Sequence, residues 1–139
     1  MDRIAELEER IRVLEAREAI KEARANYARY ATRGEFSKIA DLFTVDGVFT
    51  PPGHAGLQGR EAIRAFLSGM KPWQVAPLIH NEVIEIHGDE ATGSCAMDMR
   101  FAPNYPDGFL GYYTDRLRKE NGAWLFTART YVFVEQAAS

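Results

Sequence analysis

Apolar residues Ile4, Leu7, Ile11 and Leu14 stand three and four apart between charged neighbours, which predicts one apolar stripe along a helix. Helical spacing continues through Ala19, Ile20, Ala23 and Tyr27 to about Thr32, where Arg33-Gly34 supplies a stop signal. A second, short helix is expected from Phe36 to Phe43, with Ile39, Leu42 and Phe43 inward. TVDGVF then reads as a turn into a brief strand. PPGHAGLQG is a loop by composition, and a third helix is expected from Arg60 to Met70, with Ile63, Phe66 and Leu67 on one face.

From Leu78 the period changes to two. Strands are expected at about 78–87, 91–102, 109–119 and 123–135, divided by HGDE, NYPDG and KENG, which are hairpin signals. Helices first and a meander afterwards predict one α+β domain over residues 1–139, with an N-terminal helix over about 3–32. The natural packing lays the helices on one face of a curved antiparallel sheet. Such a cone has an open end, and its lining draws on Tyr27, Tyr30, Trp73, Met97, Met99, Phe101, Tyr112 and Tyr113. That set favours a hydrophobic guest.

Composition narrows the classes. The chain has 139 residues, 46% of them hydrophobic, enough for one real core. A formal charge of −3, with bases interleaved among acids, argues against a nucleic-acid partner. The first twenty residues are too charged for a signal peptide and no apolar run approaches membrane-spanning length, so the expected compartment is the cytoplasm. Cys95 is the single cysteine, which excludes an internal disulfide. The histidines His54, His80 and His87 show no metal-ligand spacing, so no metal site is expected. Two heptads at the N-terminus are short of a coiled-coil signature. That stripe packs either on its own domain or on another subunit of a dimer or trimer.

Within LIHNEVIEIH, His80 falls on the face of Ile84 and Ile86 at period two, so its imidazole is expected to point inward. Tyr27 and Tyr30 share a helical face, and a buried phenol needs a partner for its hydroxyl. Arg129 lies on the side of Tyr131 and Phe133, where a guanidinium must be paired with an acid of the protein or of a ligand. Asp98 is expected outward, because Met97, Met99 and Phe101 share the other face, unless a bulge shifts the register. His87 sits in a turn, His54 lies in a loop near the presumed mouth, and the alternating charges of DRLRKENGAW are expected to face solvent.

Four segments in this order, YARYATRGEFSKIADLFTVDGVF, LQGREAIRAFL, LIHNEVIEIHGDEATG and GYYTDRLRKENGAWLFTAR, resemble the SnoaL-like branch of the nuclear transport factor 2-like superfamily. Scytalone dehydratase-like and bile-acid dehydratase-like members share a tyrosine on the first helix, an aspartate five residues later and a histidine at the start of the first long meander strand. By this resemblance Tyr27 and His80 match, and the aspartate position is Thr32. Elimination beside a carbonyl needs a base for a carbon-bound proton and an acid for the leaving group, and a carboxylate orients the imidazole that serves. Threonine brings no charge, so Thr32 or Asp98 would have to orient His80. The resemblance implies a cofactor-independent lyase or isomerase for a hydrophobic cyclic molecule, with His80 as base, Tyr27 and Tyr30 polarising a substrate oxygen, and Trp73, Met97, Met99, Phe101, Tyr112 and Arg129 around the substrate. The alternatives are a binding module that keeps the pocket without the chemistry, and a structural dimerisation domain. A ketosteroid isomerase-like site is excluded, since GVFTPPG places prolines where an acid is required.

Overall fold

The computed structural model describes residues 2–70, 75–101 and 106–134. Helix α1 (Arg3–Thr32) starts where the Asp2 carboxylate accepts a hydrogen bond from the Ile4 amide, and stops before Gly34 at φ 72°. Its buried face carries Ala16, Ile20, Ala23, Arg24, Tyr27 and Ala31. The stripe of Ile4, Leu7, Ile11 and Leu14 is exposed instead, so it does not pack on its own domain.

The expected helix over 36–43 divides into three parts. Helix α2 (Phe36–Ile39) runs into a 3-10 turn (Ala40–Leu42), and Phe43 already opens strand β1 (Phe43–Thr50). TVDG is therefore strand, not turn. A register shift between Phe43 and Val48 bends it, and a Cβ on Gly47 would meet the Thr44 carbonyl oxygen at 3.0 Å. A two-residue strand β2 (Leu57–Gln58) and helix α3 (Arg60–Ser68) follow.

The meander is formed by β3 (Val75–His87), β4 (Glu90–Phe101), β5 (Gly108–Glu120) and β6 (Ala123–Phe133). Its last hairpin turns on Asn121 and Gly122, both at positive φ, the geometry that Asn-Gly adopts most readily. The sheet order is β2-β1-β6-β5-β4-β3, and among the described residues β1 pairs with β6 in parallel while the other pairings are antiparallel. The sheet is curved and unclosed, with α1 and α3 laid on its inner face. The core between them is built on Ile20, Ile39, Phe43, Ile63 and Phe126. Among the described residues, no helix is long and apolar enough to cross a membrane.

Candidate functional site

Alternation on β4, β5 and β6 turns Met99, Phe101, Phe109, Tyr113 and Tyr131 toward the helices. Tyr27 of α1, Phe36 of α2, Phe49 of β1 and Phe66 of α3 face them across a cavity of about 430 Å³. That size lies within the range of small-molecule pockets, about 300–1,000 Å³. Pro51, Pro52 and His54 form the rim, where the His54 ring stands edge-on to Phe66 at 5.3 Å.

The polar end of this chamber is a set of phenols over a buried cation. The rings of Tyr27 and Tyr113 lie 5.5 Å apart at 70°, and Tyr131 lies 4.9 Å from Tyr113. Behind them the Arg129 guanidinium stacks 4.3 Å from the Tyr27 ring centre, 3.6 Å from Tyr113 and 4.7 Å from Phe126. A desolvated cation on aromatic faces gains about 2 kcal/mol or more. Its Nε stands 2.9 Å from Asp115 Oδ1 without the alignment of a hydrogen bond, and its Nη1 has no hydrogen-bond partner among the described residues. Its Nη2 reaches the Cys95 sulfur at 3.7 Å.

Asp115 also accepts from Arg24 Nε at 3.1 Å, and Arg24 Nη1 pairs with Glu82 at 3.3 Å. Two guanidinium groups thus meet two carboxylates, which is how so much charge survives burial. Burial is the largest influence on Arg129 and opposes its charge, but Asp115, Tyr113, Tyr27 and Cys95 together outweigh it and hold the pKa above its usual value. Burial raises the phenol of Tyr27, with Arg129 only partly offsetting it, and raises those of Tyr113 and Tyr131 as well. At neutral pH the three phenols are therefore hydrogen-bond donors. Beside a stacked cation they suit an oxygen that carries, or is acquiring, negative charge.

Several expected site residues lie elsewhere. His80 is exposed on the outer face, opposite Ala96. A bulge explains it: the pairing shifts between His80 and Val83, with Asn81 at φ 52°. Ahead of the bulge Pro77 and Ile79 face inward and His80 outward, so the parity set by Ile84 and Ile86 does not reach it. Thr32 is exposed and its hydroxyl donates to the Ala28 carbonyl at 2.8 Å. Asp98 points outward and pairs with Arg100 at 2.9 Å, because the bulge lies in β3 and leaves β4 in register with β5. Tyr112 is on the outer face. Tyr30 is half-buried under Arg29 and Lys38, off the cavity wall, because it lies beside rather than on the core face of α1. Met97 is buried below the Tyr131 hydroxyl, 3.8 Å from it. Trp73 lies outside the described residues.

Tyr27, Met99, Phe101 and Tyr113 do line the chamber. Arg129, expected around the substrate, lies directly behind the chamber wall and not on it, on the inward side that its parity with Tyr131 implied. Two partners were missed. Asp115, expected in solvent with its charged neighbours, is buried, and its parity with Tyr113 and Leu117 was the available signal. Arg24 sits on the buried face of α1, four residues after Ile20 and three before Tyr27.

An open, curved sheet wrapped on helices around an apolar chamber defines the nuclear transport factor 2-like class. Within it, the chain belongs to the SnoaL-like domain family, whose model matches residues 12–130. A nuclear transport factor 2-like protein with a cystatin-like fold from Novosphingobium aromaticivorans is 25% identical, over 99% of this chain and 94% of that one, with a TM-score of 0.87. A protein of unknown function from Mycobacterium tuberculosis is 26% identical over 98% of this chain and 78% of its own, with a TM-score of 0.78. A third, from N. aromaticivorans and provisionally named a scytalone dehydratase, is 23% identical over 88% and 86%, with a TM-score of 0.76. Among curated proteins, no sequence matches this chain.

Proposed function

We infer that the protein takes up a hydrophobic cyclic molecule and binds one of its oxygens, a carbonyl or a phenol, with the hydroxyls of Tyr27 and Tyr113. The observation that carries this reading is the stacking of Arg129 behind those two phenols at the end of an otherwise apolar chamber. Apolar walls supply affinity without direction, and the phenols supply direction. The field of Arg129 favours a guest oxygen with negative character.

Binding without turnover is the simpler form of this reading, since neither His80 nor Thr32 opens on the chamber. A lyase or isomerase is the second form, supported by His54 on the rim. Its imidazole would remove a proton beside the carbonyl while Tyr27 and Tyr113 steady the enolate oxygen. His80, on the outer face, has no part in either.

One experiment addresses both forms. A panel of polycyclic ketones and the matching hydrocarbons is titrated by calorimetry, and the recovered guest is analysed for deuterium taken up from D2O. The Tyr27→Phe/Tyr113→Phe double variant is expected to weaken ketone binding about ten- to thirtyfold while leaving the hydrocarbon unchanged. Equal affinity for ketone and hydrocarbon in the unaltered protein would refute the polar end. Deuterium uptake that disappears in His54→Ala selects the catalytic form, and its absence selects binding.

A further inference from the structure

Two faces of α1 point in opposite directions. Ile11 precedes Ile20 by nine residues and Ile4 precedes Ala31 by twenty-seven, two and a half and seven and a half turns respectively, which sets each pair on opposite sides of the helix. Ile20 and Ala31 are buried in the domain. Ile4, Leu7, Ile11 and Leu14 therefore look directly away from it, exposed by 64, 48, 52 and 64%. Among the described residues, nothing of this chain covers the stripe.

We propose that the stripe docks on the same stripe of a second copy as a parallel, two-stranded coiled coil. In heptad terms Ile4 and Ile11 occupy a, and Leu7 and Leu14 occupy d, the arrangement that favours two parallel strands. The flanks determine direction. Arg3 and Arg10 fall at g, and Glu8 and Glu15 at e. A parallel pair sets Arg3 against Glu8 and Arg10 against Glu15 of the other copy, on both sides of the seam. An antiparallel pair would set arginine against arginine and glutamate against glutamate. Among the described residues these four charges make no ion pair within their own chain, unlike Arg12, which pairs with Glu9 at 2.6 Å.

Two further features favour the second copy. Arg12 and Arg17 tie α1 to β3 and its turn through the carbonyls of Gly88 and Ile84, so the helix presents the stripe already folded and association does not have to nucleate it. The domain lies on the far side of the helix from the stripe, which leaves room for a partner. After Leu14 the next a and d places are Glu18 and Lys21, so the seam ends where the apolar stripe does.

Sedimentation equilibrium of the full chain tests this. The unaltered protein is expected to be a dimer in the micromolar range. Arg3→Glu/Arg10→Glu and Glu8→Arg/Glu15→Arg are each expected to weaken self-association at least about tenfold, and an equal mixture of the two is expected to restore a dimer. Unchanged circular dichroism, and thermal unfolding that matches the unaltered protein at dilutions where both are monomeric, confirm that the domain is intact, since all four positions are exposed. Leu14→Cys is expected to form an interchain disulfide under oxidation, which only the parallel register permits. A monomeric or trimeric wild type, a dimer indifferent to both charge reversals (as the outer sheet face with Leu110 and Tyr112 would give), no recovery on mixing, or failure of Leu14→Cys to cross-link overturns the proposal.

Discussion

Asp115 is the residue on which the most buried charge depends. It stands between Arg24 and Arg129, and both lose their common partner if its charge goes. Asp115→Asn is expected to cost about 3–5 kcal/mol in urea unfolding, the range for a stranded buried charge. Arg129→Met should cost less, because Asp115 keeps Arg24; the reverse order would contradict this arrangement. The phenols give a second expectation at this scale. Burial raises Tyr27 and Tyr113 above the ordinary phenol value, about 10. Above that pH an unfolded tyrosine loses its proton while the buried one keeps it, so the folded state binds more protons. Stability is then full below about pH 10 and falls as pH rises, by up to about 1.4 kcal/mol per pH unit for each phenol. Urea curves from pH 8 to 11 check this, and Tyr27→Phe should flatten the decline.

The bulge in β3 shows what an element contributes that its composition does not announce. Asn81 takes φ 52°, which asparagine tolerates and β-branched residues do not. Asn81→Val is expected to cost about 1–2 kcal/mol and Asn81→Gly much less, measured by denaturant unfolding. Equal effects would mean that the backbone there is not strained. The bulge brings Glu82 and the Val83 carbonyl to Arg24, at 3.3 Å each, so it serves the charge cluster. It also defeats the period-two reading of His80, because alternation counts residues and takes no account of an extra one. By contrast β4 and β5 pair without interruption, and there the inward places of Met99, Phe101 and Tyr113 were readable from parity alone. The end of the second helix was less readable. Phe43 is inward under either assignment, so burial could not distinguish a last helical turn from a first strand residue.

At the scale of the molecule, turn signals and a change of period from 3.6 to 2 sufficed to show helices on a meander. The parallel union of β1 with β6 escaped, since it joins segments about eighty residues apart and no local pattern encodes it. The chamber was legible as an aromatic set, and its polar end only in part, through Tyr27 and Arg129 but not their charged partners. Arg129, Asp115 and Arg24 come from three elements: Arg129 alone reads as a cation among apolar residues, whereas Asp115 reads as part of an alternating charged run and Arg24 as one of several charges along α1.

The half-turn offset between the two faces of α1 constrains how the chain can vary in length. One residue inserted between Leu14 and Ala16 would swing the outer stripe by about 100° relative to the domain, whereas seven would return it to within about 20°. The arm can therefore grow or shrink without re-aiming its neighbour in steps of about seven or eleven residues but not of one or two, even though none of the residues counted touches the chamber.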